Sequence, residues 1–179
     1  MELKTVAITE SFNDIEKINV LAKEAFPPKE YLAPTKLIAM AKDGELDFLA
    51  LYDQTLFVGF MAVKAYKNMA YLFFLAIDPV RRSSGYGGRA IETLRALYPS
   101  MQQVVDLEML DSAADNSAQR ESRRSFYLRN GYRETGHFIS YSGIDFEILC
   151  MTPTFDLDVF KEMMRTFHLD GFHPHYFTK

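Results

Sequence analysis

The chain of 179 residues has one cysteine, Cys150, and no tryptophan. A single thiol can build neither an intramolecular disulfide nor a thiolate metal cluster. Cys150 therefore reads as a small core hydrophobe. Positive charge is not in excess either: 20 Lys and Arg against 24 Asp and Glu leave a net charge of −4. That balance repels polyphosphate at long range, so no nucleic-acid partner is expected. Long apolar runs are missing. The most apolar stretch, Met69 to Ile77, falls far short of the ~20 residues a membrane helix needs. The opening MELKTVAITESFND lacks a basic start followed by an apolar run and does not read as a signal peptide. The expectation is a cytoplasmic, soluble protein with no membrane partner.

What is present is a globular composition, 48% hydrophobic and 25% charged. A disordered chain would lack the apolar surface to offset its backbone entropy. Fifteen Phe and ten Tyr supply a large aromatic core. The length fits one domain.

Leu3 to Ile8 alternates and reads as a short strand. Asn13 stands three residues before Glu16, at capping spacing, and Ile15 to Phe26 shows one apolar helical face. Pro27-Pro28 ends that helix. A second helix is predicted from Thr35 to Lys42, with Gly44 as a left-handed cap. Leu46–Tyr52, Leu56–Ala65 and Met69–Ile77 then read as three strands of a meander joined by short polar turns. The third shows no polar face, so both its sides are expected to be covered.

A helix with Ala90, Ile91, Leu94 and Leu97 on one face follows, then a strand, Val104–Met109. That makes one parallel crossover. A further helix is predicted from Ala118 to Asn130. Tyr132–Tyr141 and Ile144–Met151 form a last hairpin, Phe155–Phe167 a final helix, and GFHPHYFTK an aromatic tail. The expected fold is α+β: a single mixed, mostly antiparallel sheet with helices on both faces and an extra C-terminal helix. Residues 1–151 form the main domain. Residues 152–179 pack on it, although the tail's aromatics could equally meet a second subunit in a homodimer.

The strongest chemical signal is Arg82-Ser83-Ser84-Gly85-Tyr86-Gly87-Gly88, between a buried strand and a helix start. Glycine lets backbone turn sharply and exposes its N–H groups to an anion. The first N–H groups of a helix lack internal partners and carry the positive end of its dipole. Together they suit a phosphate, with Arg81, Arg82 and Arg89 adding charge. A solvated glycine loop is the plainer alternative. A nucleoside-triphosphate loop would need Gly-Lys-Ser/Thr, which Gly88-Arg89-Ala90 is not. Gly85, Gly87 and Ala90 also fit a dinucleotide fingerprint, with Asp106 about twenty residues on. Yet DPVRRSS separates the glycines from the strand end, and little chain remains for further βα units.

The string L-A-I-D-P-x-x-R-x-x-G-x-G, Leu75 through Gly87, resembles the acyl-CoA-binding motif of the GNAT superfamily of N-acetyltransferases. Ser125-Phe126-Tyr127-Leu128-Arg129-Asn130-Gly131-Tyr132 resembles its later F-Y-x-x-x-G-F/Y element, and the element order matches over roughly residues 1 to 151. The resemblance implies an acyl-CoA N-acyltransferase-like fold. It implies acetyl transfer from acetyl-CoA, as co-substrate and without a metal, to a small-molecule or protein amine. By the same resemblance the backbone of Arg82, Ser83, Ser84, Gly85, Tyr86, Gly87 and Gly88 would hold the pyrophosphate. The backbone of Leu75, Ala76 and Ile77 would lie along the pantetheine, and Tyr127 would be the general acid. Tyr127 can also be read simply as a core aromatic.

Two positions depart from the family's common pattern. Arg120 and Arg123 stand where an Asn and an Ala are frequent; with Arg124 they make a basic stripe that could take a CoA phosphate or an acidic acceptor, or form a solvated face. Some relatives carry a Glu near the start of the central strand, where this chain has Tyr71. A base matters because an alkyl ammonium with a pKa near ~10.4 costs roughly 4–5 kcal/mol to deprotonate at pH 7. Glu108, on the strand after the crossover, is the substitute suggested here; its plainer role is an edge or cap carboxylate. His168, His173 and His175 match no metal spacing. A noncatalytic acyl-CoA sensor and a dinucleotide enzyme remain as competing functions.

Overall fold

In the computed structural model, which describes residues 2–179, eight strands form one open mixed sheet, ordered β1-β2-β3-β4-β5-β7-β6-β8. The chain divides into two compact units, one running to Ala65 and resuming over Ala70–Ser100, the other comprising Tyr66–Met69 and Met101–Lys179. Among the described residues no helix is long and apolar enough to cross a membrane.

The first unit holds β1 (Lys4–Ala7), α1 (Ile15–Ala25), α2 (Pro34–Lys42), β2 (Asp47–Asp53), most of β3 (Leu56–Tyr66) and β4 (Met69–Ile77), and α3 (Tyr86–Leu97). α1 buries Ile18, Leu21 and Ala22, the three-and-four spacing of one helical face. Its N-cap is Asp14 rather than Asn13, and no side chain caps it. The Asp14 carboxylate is engaged elsewhere, by the Tyr52 hydroxyl at 2.7 Å and by Lys17 Nζ at 2.9 Å. α2 starts on Pro34, where a missing N–H costs nothing.

Antiparallel pairing runs β1 with β2 and β2 with β3, and Asp53 faces Leu56 across the β2–β3 hairpin. β3 is buried without a break from Phe57 to Lys64, and β4 from Met69 to Leu72. Consecutive buried residues mean that neither face of the strand meets water there. Phe26, Phe48, Phe60 and Phe74 interlock, Phe26 lying 4.7 Å from Phe74 edge to face. Such edge contacts suit the ring quadrupole. Lys64 is buried on β3; its Nζ donates to the Glu45 carbonyl at 3.0 Å, and burial lowers its pKa.

The second unit holds β5 (Gln102–Glu108), α4 (Ser117–Arg129), β6 (Arg133–Tyr141), β7 (Ile144–Cys150), α5 (Leu157–Arg165) and β8 (His175–Thr178). β7 pairs antiparallel with both β5 and β6. The β6–β7 hairpin turns on Ser142 and Gly143, both at positive φ. α5 is the extra C-terminal helix, capped by the Asp156 carboxylate accepting from Val159 N–H at 3.0 Å. It buries Phe160, Met163 and Met164.

The tail is where the sequence expectation fell short. Within the expected aromatic tail, residues 175–178 form a strand that was not foreseen, antiparallel to β6, with Phe138 opposite Phe177 and their rings stacked at 5.4 Å. α5 also ends before Phe167 and starts after Phe155, which shortens the predicted helix at both ends.

Candidate active site

The glycine-rich segment is a left-handed turn feeding a helix. Asp78 closes β4, its carboxylate accepting from Val80 N–H at 3.1 Å. Pro79–Arg81 make one 3-10 turn. Ser83 and Gly85 then take positive φ, 63° and 81°, and Gly85 is the N-cap of α3, with no side chain capping it. The first bond of the helical ladder is Arg89 N–H to the Gly85 carbonyl at 3.1 Å. The N–H groups of Tyr86, Gly87 and Gly88 therefore precede the ladder, at the positive end of the dipole. Nothing lies within 4 Å of where a Gly85 Cβ would sit, and Arg82, Ser83, Ser84 and Gly85 are exposed. This is an open ring of donors that an anion can approach.

The charges around it are more committed than the sequence suggested. Arg82 Nε donates to the Ile77 carbonyl at 3.3 Å, and its guanidinium lies 3.7 Å from Glu24 on α1. Arg89 is held by Asp53 through both nitrogens, at 2.7 and 3.1 Å, and the Tyr86 hydroxyl joins the same carboxylate at 3.0 Å. These bonds, Arg89's first, hold the Asp53 carboxyl below the usual carboxylate range. Arg89 is thus neutralised inside the protein rather than standing open to phosphate.

β4 presents its end residues asymmetrically. Asp78 N–H bonds to the Val58 carbonyl on β3 at 3.0 Å, and the Ala76 carbonyl points at Gly59 of β3. Backbone groups alternate sides along a strand. The backbone groups of Leu75 and Ile77 therefore face the opposite edge of β4. Both residues are half-buried, and Ala76 is buried.

In the second unit, Tyr127 sits on α4 with 6% of its surface exposed. Its ring meets Phe126 at 5.0 Å and Tyr132 at 5.2 Å, both edge to face. Burial raises the phenol's pKa, opposed by the positive charge of Arg123 and reinforced by the Asp106 carboxylate. Tyr127 is therefore protonated at neutral pH.

Glu108 ends β5 and is buried. Arg120 reaches its Oε1 at 3.0 Å, Arg123 its Oε2 at 3.1 Å, and Asn116 Nδ2 lies 3.4 and 3.2 Å from the two oxygens. Arg120 also donates to the Asn116 side chain and the Met109 carbonyl, both at 2.8 Å. Arg124 turns to Glu147 at 2.8 Å and to Glu134. The basic stripe of α4 is thus a set of ion pairs to carboxylates on β5, β6 and β7. Both oxygens of Glu108 are engaged by guanidinium groups.

A comparison with protein families matches residues 10–132, well over half of the chain, to the family described as "Acetyltransferase (GNAT) family". The chain belongs to the acetyltransferase (GNAT) family. Solved structures agree on the fold. A GNAT-family acetyltransferase from Bacteroides thetaiotaomicron is similar over 90% of this chain and 93% of its own, at 21% identity and a TM-score of 0.67. An aminoglycoside 6'-N-acetyltransferase complexed with coenzyme A is similar over 86% and 99%, at 18% identity and 0.64. The ribosomal-protein-S18-alanine N-acetyltransferase from Escherichia coli is similar over 86% and 96%, at 16% identity and 0.60. No curated protein matches the chain. As a GNAT acetyltransferase, this protein moves an acetyl group from acetyl-CoA to an acceptor amine.

Two residues of this acetyltransferase escaped the sequence. Gly59 lies mid-strand in β3, and a Cβ there would sit 2.1 Å from the Ala76 oxygen. A lone glycine inside an apolar strand is the signal that could have marked it. Asp53 read as an ordinary turn residue; nothing local foretold a tie to Arg89, 36 residues on.

Proposed function

We propose that the acetyl-CoA diphosphate is held by the N–H groups of Gly85, Tyr86, Gly87 and Gly88, with Ser83 and Ser84 at the rim. The pantetheine arm pairs with the Leu75 and Ile77 edge of β4 as an added strand does. The observation that carries this reading is the α3 N-terminus: three N–H groups ahead of the helical ladder, behind an uncapped left-handed glycine in open space.

The chemistry follows from direct attack. The amine nitrogen adds to the thioester carbonyl carbon and forms the C–N bond. The carbonyl π pair moves to oxygen, where a backbone N–H of the strand stabilises the oxyanion. Collapse restores C=O and breaks C–S. The departing thiolate takes its proton from Tyr127, and the phenol is reprotonated through solvent by the proton that the attacking nitrogen, positively charged in the tetrahedral adduct, gives up as it becomes the amide. Arg120, Arg123 and Glu108 enter as an ion-paired cluster, two guanidinium groups on one carboxylate, that holds α4, and with it Tyr127, in place. The acceptor class stays with amines, from small molecules or proteins, as in the enzymes whose structures are similar.

A second reading, an acyl-CoA sensor without turnover, is favoured by one observation: Glu108 is spoken for by two arginines. Calorimetry with acetyl-CoA, joined to an acetylation assay over a broad panel of amines, separates the two. Binding with transfer supports the enzyme; binding with no acetylated product from any amine supports the sensor. Absence of CoA binding overturns both.

A further inference from the structure

We infer that Asp53, at the end of β2, is a positioning residue for the diphosphate-binding turn of α3. The inference rests on the reading of that turn as the diphosphate site. A single carboxylate makes three bonds to one helical turn: Arg89 to Oδ2 at 2.7 Å and to Oδ1 at 3.1 Å, and the Tyr86 hydroxyl to Oδ2 at 3.0 Å. Tyr86 is the first residue of α3 and Arg89 the fourth, so the two anchors flank Gly87 and Gly88 and adjoin Gly85. The guanidinium also lies over the Tyr86 ring at 5.1 Å.

This turn needs an outside tether. Gly85, Gly87 and Gly88 carry no side chains to pack, and glycine favours the unfolded backbone over the helix. No side chain caps the helix. Asp53 supplies the missing restraint from a fixed point, since it pairs with Leu56 in the β2–β3 hairpin. A ligand that needs the ordered turn binds more weakly in proportion to the fraction of time the turn is ordered.

Removing Asp53 has two effects of opposite sign. It loosens the turn, which weakens CoA binding, and it frees the Arg89 cation near an anion site, which strengthens it. The sign of the change therefore decides between a tether and a mere counter-ion. The tether prevails here because a bidentate pair with a third bond fixes geometry, whereas a freed, solvated arginine adds little attraction.

The test is calorimetric titration of the full chain with CoA and with dephospho-CoA, which keeps the diphosphate and lacks the 3'-phosphate. Melting temperatures are recorded alongside. If Asp53→Ala leaves the turn ordered about a tenth of the time, affinity falls about ten-fold. The loss is expected to be equal for both ligands, smaller in Asp53→Asn, and partly restored in Asp53→Glu. Arg89→Met, which breaks the same pair, costs no more when added to Asp53→Ala than Asp53→Ala costs alone. Unchanged or tighter binding by Asp53→Ala and Asp53→Asn overturns the proposal, as does a lowered melting temperature with unaltered affinity. A loss seen for CoA alone also overturns it, because it would assign the residue to the 3'-phosphate. Gly85→Glu separates the two levels. If it abolishes binding while the Asp53 variants match the parent, only the tether fails; if it leaves CoA affinity intact, the diphosphate reading fails and the tether with it.

Discussion

A Cβ on Gly59 would sit 2.1 Å from the carbonyl oxygen of Ala76, and 3.1 Å from both the Ala76 carbonyl carbon and the Ile77 Cα. The obstruction is backbone on a buried neighbouring strand, so nothing flexible can give way. Gly59→Ala is predicted to destabilise the protein by about 3 kcal/mol or more, an overpacking cost at the upper end of ordinary point mutations. Because the displaced backbone belongs to the end of β4, acetyl-CoA affinity should fall in parallel. Urea denaturation and calorimetry on one sample check both.

Tyr127→Phe keeps the ring contacts to Phe126 and Tyr132 and removes only the hydroxyl. Turnover at saturating acetyl-CoA should fall roughly 10²-fold or more, the usual weight of a general acid, while CoA affinity changes little. Unaltered turnover would take Tyr127 out of the mechanism.

Glu108→Gln tests two roles at once. Losing the carboxylate leaves Arg120 and Arg123 without a counter-charge in a largely buried place. The expected loss of stability is about 3 kcal/mol, lessened by the partial exposure of Arg123. As a support, Glu108→Gln lowers turnover without changing the shape of the pH–rate profile. Disappearance of an acidic limb from that profile would show that it is the base after all.

Most of the architecture was legible because it rests on local pattern. Met69–Ile77 came out with its observed bounds, since an unbroken apolar run between turn residues has few other readings. The start of α3 was missed at Tyr86 because Gly87 and Gly88 carry no helical signal, and the helix there depends on partners elsewhere in the chain. His175–Thr178 was missed for a related reason: four residues are too short to announce a strand, and only pairing with β6 makes them one. The candidate site divided the same way. The turn was visible as spacing, whereas the commitment of Arg89 to Asp53, and of Arg120 and Arg123 to Glu108, exists only in three dimensions.

Half-buried phenols set an alkaline limit. Burial first, with hydrogen bonding to Asp14 adding to it, pushes Tyr52 from 10.0 up to about 12. Burial pushes Tyr176 likewise to about 12. A pKa raised in the folded state contributes stability that is whole below pH 10 and drains away as the pH climbs through 12. The melting temperature should therefore hold up to about pH 10 and drop steeply between about 10 and 12. Tyr52→Phe should soften that drop. A melting temperature flat to pH 12 would contradict the raised pKa values of these two phenols.

The most direct measurement of the central claim is the backbone amide NMR spectrum followed as CoA is added. The largest shifts should fall on the amides of Gly85, Tyr86, Gly87 and Gly88, and ADP, carrying the same diphosphate, should move the same four. Saturable binding of CoA that leaves those four amides in place, with its shifts elsewhere in the chain, would contradict it.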